Sequence, residues 1–250
     1  MNVSLKIIIG FTVLFLLYHA AEYMIMFENN IPGFFLFQFL FFLSAWLIAK
    51  WQSGNGFSAW RLGFSPNLGK FLIGGVIMGV LLYGFTWWVN IITGIEVVRH
   101  VPGIIKILVQ TLPFAFGVIF SSLSEDVLTR GYVYFHMHKK LNNLVIIGLS
   151  SVIYVLNHIY KLGNGPESWL YLFFLGTLFM VPLIITHSLW FTWAMHWAGN
   201  TFFFITHQVI STQSTNDGFS ANYLFCLCIM IFIPITYLLV KKSRLAVCEN

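Results

Sequence analysis

Glu125, Asp126 and Arg130 stand inside the apolar stretch "SSLSEDVLTRGYVYF", where charge is least welcome. An ionisable side chain near the bilayer centre costs at least ~2.5–3.5 kcal/mol on insertion scales, so each is a functional candidate. Asp126 and Arg130 are four apart with the acid first, the favourable order for a helical ion pair. Glu125 points about 100° away around the helix and is left out of that pair. A carboxylate withdrawn from water is a candidate general base. The plainer alternative is a structural ion cluster that holds helices together.

Two further stretches could face Glu125. In "SSVIYVLNHIYK", His158 follows Tyr154 by one helical turn and Asn157 is adjacent. In "WFTWAMHWAGNTFFF", His196 and Asn200 are four apart and share a face. A single membrane histidine is ordinarily a hydrogen-bonded packing residue; a second one paired with an asparagine on another helix changes that balance. Asn and His can both donate hydrogen bonds, and two donors converging on one point suit an oxyanion. One acid, two histidines and one asparagine from three helices compose a hydrolytic constellation.

These residues need elements to carry them, and the composition says which. Of 250 residues, 58% are hydrophobic and only 8% charged, against about 25% charged in soluble domains. So few charges cannot build a polar shell, which predicts an all-α, polytopic integral membrane protein. Runs of about 20 apolar residues predict about eight transmembrane helices, near 5–26, 34–50, 70–93, 113–137, 142–160, 168–186, 188–207 and 221–240. Pro113 is expected to break the segment beginning near Gly103. The chain reads as one integral membrane domain over 1–250, with a motif-bearing core at 113–205 and an uncleaved first helix. An even helix count puts Lys6, Lys50, Arg61, Lys70, Lys139, Lys140, Lys241, Lys242 and Arg244 on one side, against Arg99, Lys106 and Lys161. That bias predicts both termini in the cytoplasm and localisation in the cell membrane. It also accounts for the net charge of +5, so no nucleic-acid partner is expected. Cys226, Cys228 and Cys248 offer neither a disulfide framework nor zinc-finger spacing. Gly75 and Gly79 have the spacing that lets helices approach closely.

The pattern resembles the CPBP (CAAX protease and bacteriocin-processing, or Abi) intramembrane proteases, which include the Ras-converting enzymes. The family's Glu-Glu-x-x-x-Arg, Phe-x-x-x-His and His-x-x-x-Asn stand here as Glu125-Asp126-x-x-x-Arg130, Tyr154-x-x-x-His158 and His196-x-x-x-Asn200. The resemblance covers about 113–205; the remaining helices share only hydrophobicity. Asp126 and Tyr154 depart from the family's Glu and Phe. The resemblance implies an eight-helix endopeptidase acting, without cofactor or metal, on a membrane-associated peptide or protein, prenylated substrates included. It further implies that Glu125 activates water, that His158 polarises it, and that His196 and Asn200 stabilise the oxyanion. Asp126, Arg130 and Tyr154 are then structural or positioning.

Depth supplies a further expectation. At 1.5 Å per residue, Glu125 and His158 come out ~20–24 Å from the inner loops but His196 only ~12 Å from Ser188. The mismatch vanishes if the turn "IITHSLW" is submerged in the bundle. Three rivals remain open: a zinc protease with Glu125, His158 and His196 as ligands, a non-enzymatic scaffold or immunity-type protein, and a transporter drawing on His19 and Glu22.

Overall fold

The computed structural model describes residues 2–215 and 220–242, so Asp217, Arg244 and Cys248 lie outside the described residues. The chain is an all-α polytopic membrane protein. Its helices are α1 (Val3–Met26), α2 (Ile31–Ser53), α3 (Leu68–Ile92), α4 (Ile104–Asp126) and α5 (Tyr132–Met137). They continue as α6 (Asn143–Asn157), α7 (Pro166–Thr186), α8 (Leu189–Phe204) and α9 (Ala221–Lys242). Among the described residues, six spans are long and apolar enough to cross a bilayer, one of them the 34-residue run Ile104–Met137 that joins α4 to α5. Helix α6, at 15 residues, is shorter than a full crossing, while the 16 residues of α8 run on into a π-helical turn, Ile205–Val209. Asn side chains start α1, α2 and α6 by accepting from backbone N–H groups of Ser4, Gly33 and Val145.

Pro113 does not break its helix: α4 runs through it from Ile104. Proline removes one backbone donor, a loss that neighbouring helices accommodate in membrane proteins. Here α8 docks on the carbonyls just beyond, with Trp197 Nε1 donating to Ala115 O at 2.8 Å and Trp193 Nε1 to Ile119 O at 3.1 Å. Unforeseen in the sequence, β1 (Glu96–His100) and β2 (Ser211–Ser214) pair antiparallel, joining the segments after α3 and α8.

The spacing of Gly75 and Gly79 has its counterpart in the contact between α3 and α8. A Cβ at Gly75 would strike Phe191 O and lie 2.8 Å from Ala194 Cβ; one at Gly79 would strike Met195 O. Ala198 and Gly199 complete that contact, so the backbone on either side of His196 is held against α3. The α7–α8 turn is enclosed, as the depth argument requires. His187 takes a left-handed φ of 51°, its Nδ1 lies 2.7 Å from Tyr134 Oη, Ser188 is buried, and Leu189 N–H donates to Arg61 O at 2.9 Å. Cys226 and Cys228 are free and buried in α9, as packing residues are.

Candidate active site

Glu125 and Asp126 end α4, and the chain then widens into a π-helical turn, Val127–Gly131, before resuming as α5. Side chains occupy the carbonyls this change of pitch disturbs. Thr129 Oγ1 donates to Glu125 O at 2.7 Å, and Ser150 Oγ of α6 donates to Thr129 O at 2.8 Å. Gly131 leaves room for Trp60, whose carbonyl would lie 3.0 Å from an added Cβ. Such turns recur at functional sites. This one carries Arg130.

Asp126 and Arg130 form a buried ion pair through Oδ1 and Nη1, both side chains 0% exposed. The guanidinium lies over the rings of Tyr154 and Phe179, 4.4 and 4.9 Å from their centroids. The same Asp126 Oδ1 faces His196 Nδ1 at 3.1 Å. Asp126 therefore braces the helix and also orients a histidine from α8, a link the one-helix spacing did not reveal. With Nδ1–H donated to Asp126, His196 turns Nε2 towards Glu125 Oε2, 3.5 Å away.

His158 sits at the end of α6, which stops at Asn157 rather than near 160. Its Nδ1 lies 2.8 Å from Tyr154 O, a backbone acceptor, so Nδ1 carries the proton in the neutral ring. Nε2 then points at Glu125 Oε1 from 3.6 Å. Asn157 Nδ2 donates to the same oxygen at 3.2 Å. Glu125 is 5% exposed. Its carboxylate thus lies between two imidazole Nε2 atoms, each just beyond direct hydrogen-bond length. Asn200, one turn past His196, donates from Nδ2 to Ser122 Oγ at 3.4 Å.

Ser122, Glu125, Tyr154, His158, His196 and Asn200 line a cavity of about 650 Å³, while Asp126, Arg130 and Asn157 lie behind its wall. Its apolar wall includes Ile25, Met26, Ile31, Phe34, Phe35 and Phe116. Tyr18, Glu22, Gln38 and Lys161 add polar groups that received no role in the site from sequence. Gln38 had a signal: it is the one amide in "FFLFQFLFF". Asn157 stood in plain view beside His158, but its contact with Glu125 crosses between helices. His19 is not in the site; its Nε2 lies 2.9 Å from Asn157 O and ties α1 to the end of α6. Glu125, His158 and His196 do converge, yet among the described residues no three His, Cys, Asp or Glu side chains are grouped to hold a metal ion.

Residues 107–202 match the family model described as type II CAAX prenyl endopeptidase Rce1-like. No curated protein and no solved structure matches the chain. The matched stretch runs from α4 into α8 and contains Glu125, Asp126, Arg130, Tyr154, His158, His196 and Asn200. Over that stretch, under half of its length, the chain is similar to the CPBP/Rce1-like family.

Proposed function

We propose that this chain is an intramembrane endopeptidase that hydrolyses a peptide bond in a membrane-associated or lipidated peptide or protein. One observation carries the reading: the Glu125 carboxylate lies 3.6 Å from His158 Nε2 and 3.5 Å from His196 Nε2, on the wall of a cavity large enough for peptide. A water bound against Glu125 would lose a proton to that carboxylate as its oxygen bonds to the scissile carbonyl carbon. His158, held through Nδ1 by the Tyr154 carbonyl, offers its Nε2 lone pair to the water's other hydrogen. The resulting oxyanion takes hydrogen bonds from the Asn200 amide and from His196 when Nε2 carries a proton. The proton on Glu125 then passes to the amide nitrogen as the C–N bond breaks. Asp126, fixed by Arg130, keeps the His196 ring in register. In this scheme Tyr154 is a positioning residue, supplying the carbonyl that orients His158.

The apolar wall suits a substrate delivered from the bilayer, including one with a prenyl chain. The basic residues favour cytoplasmic termini in the cell membrane. On that topology the part of the cavity wall formed by Met26 and Ile31 at the α1–α2 turn and by Lys161 after α6 lies towards the other side. Labelling of a cysteine placed at Lys161 from the cytoplasmic side alone would reverse the assignment. The function itself is tested by comparing peptides from membranes carrying intact protein or Glu125→Gln. General-base removal costs about 10²–10⁴ in rate, so product peptides should vanish with the variant. Identical profiles, with the variant inserted normally, would leave a scaffold or immunity-type role.

A further inference from the structure

A second cavity, of about 150 Å³, lies between the ends of α3 and α8 and the start of α9, and only Phe203 lines both it and the cavity beside Glu125. A cavity of about that size takes a ligand as large as benzene. Its walls carry the rings of Tyr83, Trp87, Phe203 and Phe225. Glu96 of β1 is the one carboxylate lining it among the described residues, and no Lys or Arg lines it. Arg99, further along β1, is exposed. Glu96 is 7% exposed and accepts from Asn90 Nδ2 at 3.0 Å. Asn90, 4% exposed, keeps its Oδ1 without a hydrogen-bond partner among the described residues. His207, on the π-helical turn after α8, places Nε2 3.2 Å from Glu96 Oε1. Its Nδ1 lies 2.8 Å from Thr206 Oγ1, whose own proton is donated to Phe202 O. In the neutral ring Nδ1 is therefore the donor and Nε2 an acceptor facing another acceptor. A carboxylate, an imidazole lone pair and an amide oxygen thus gather beside four aromatic rings.

We infer that this cavity binds a small primary ammonium ion, the chemistry of an ethanolamine head group or of a free amine. An R–NH₃⁺ group carries three N–H donors, one each for Glu96, Asn90 Oδ1 and His207 Nε2. Its charge is also attracted to the faces of the surrounding rings. A quaternary ammonium would keep the rings but has no N–H for the three acceptors. An anion is repelled by Glu96. A metal ion is the poorer match, since among the described residues no three His, Cys, Asp or Glu side chains are grouped to hold one. The cavity lies where α3 and α8 finish and α9 begins, at one end of the bundle, which is the level of the head groups of one leaflet.

The test titrates the intact purified protein in detergent, by calorimetry, with ethanolammonium chloride and separately with choline chloride. Ethanolammonium should bind at least about tenfold more tightly than choline, because each hydrogen bond to a charged group is worth a factor of that order. Glu96→Gln keeps the shape of the side chain, removes its charge, and should weaken ethanolammonium at least about tenfold. Phe225→Leu keeps the three acceptors, loses one ring, and should weaken it about threefold. Circular dichroism during SDS titration checks that each variant folds, and Phe225→Leu decides the matter if Glu96→Gln does not. Native mass spectrometry of protein taken from nanodiscs of mixed phosphatidylethanolamine and phosphatidylcholine separates the two sources. Preferential retention of the ethanolamine lipid, lost in Glu96→Gln, assigns the amine to a lipid; calorimetric binding without it assigns a free amine. Neither binding nor retention overturns the inference and leaves Glu96 and a protonated His207 as a closed ion pair. Equal affinity for choline and ethanolammonium overturns it too, as does ethanolammonium binding that the folded variants leave unchanged.

Discussion

Replacing Asp126 by Ala removes two partners at once, and the structure separates their effects. Arg130 and Asp126 are both fully buried, so the variant leaves a guanidinium without its counter-ion in a site where water cannot replace it. Breaking a buried pair in this way costs about 3–5 kcal/mol. The rings of Tyr154 and Phe179 still face the guanidinium but carry no net charge. The second loss is the acceptor for His196 Nδ1–H, 3.1 Å away. A hydrogen bond to a charged group contributes ~1.5–3 kcal/mol, roughly 10- to 150-fold in rate if it is needed in the transition state. The double variant Asp126→Ala/Arg130→Met removes the stranded cation as well. It should regain most of the stability, since apolar replacement of a whole buried pair is often neutral, yet remain slow because His196 still lacks its acceptor. Stability is read by titrating the purified protein with SDS and following helical circular dichroism; rate is read by peptide cleavage in proteoliposomes. A double variant that recovers both would show Asp126 to be only a counter-ion for Arg130. An Asp126→Ala protein as stable as the native one would refute the energetic argument itself.

Other outcomes follow from the same geometry. Asn157→Leu removes the 3.2 Å bond to Glu125 Oε1 and should slow cleavage about tenfold, the value of ~1.4 kcal/mol; unchanged cleavage would make Asn157 a packing residue. Gly79→Leu forces a side chain into Met195 O and Ala198, and overpacking of this kind costs about 1–3 kcal/mol. It should lower the SDS midpoint and, by shifting His196, the rate, whereas Gly69→Leu, where an added Cβ meets nothing within 4 Å, should alter neither. Cleavage by purified protein should survive 1,10-phenanthroline and EDTA; loss that zinc restores would instead favour the Glu125, His158 and His196 ligand set.

Much of the fold was legible because bilayers read composition directly. A chain with 8% charged residues cannot cover itself in polar groups, and the lengths of its apolar runs mark out the helices. The Asp126–Arg130 pair was legible for a related reason: residues four apart on a helix are neighbours whatever surrounds them. Pro113 misled because its missing N–H marks a break only when no neighbouring structure tolerates the loss. Trp193 and Trp197 of α8, held on α4 just beyond it, are distant in sequence.

By itself, then, the sequence determined that this is a membrane helical bundle and that Glu125, His158, His196 and Asn200 sit on faces able to meet. Both follow from local chemistry, the price of charge in lipid and the period of the helix. Only tertiary structure decided that Asp126 orients His196, that Asn157 touches Glu125, and that α1 and α2 close the cavity with Glu22 and Gln38. Those contacts depend on how helices cross and on a π-helical turn whose freed carbonyls are taken by Thr129 and Ser150, neither of which a repeat along one helix can encode.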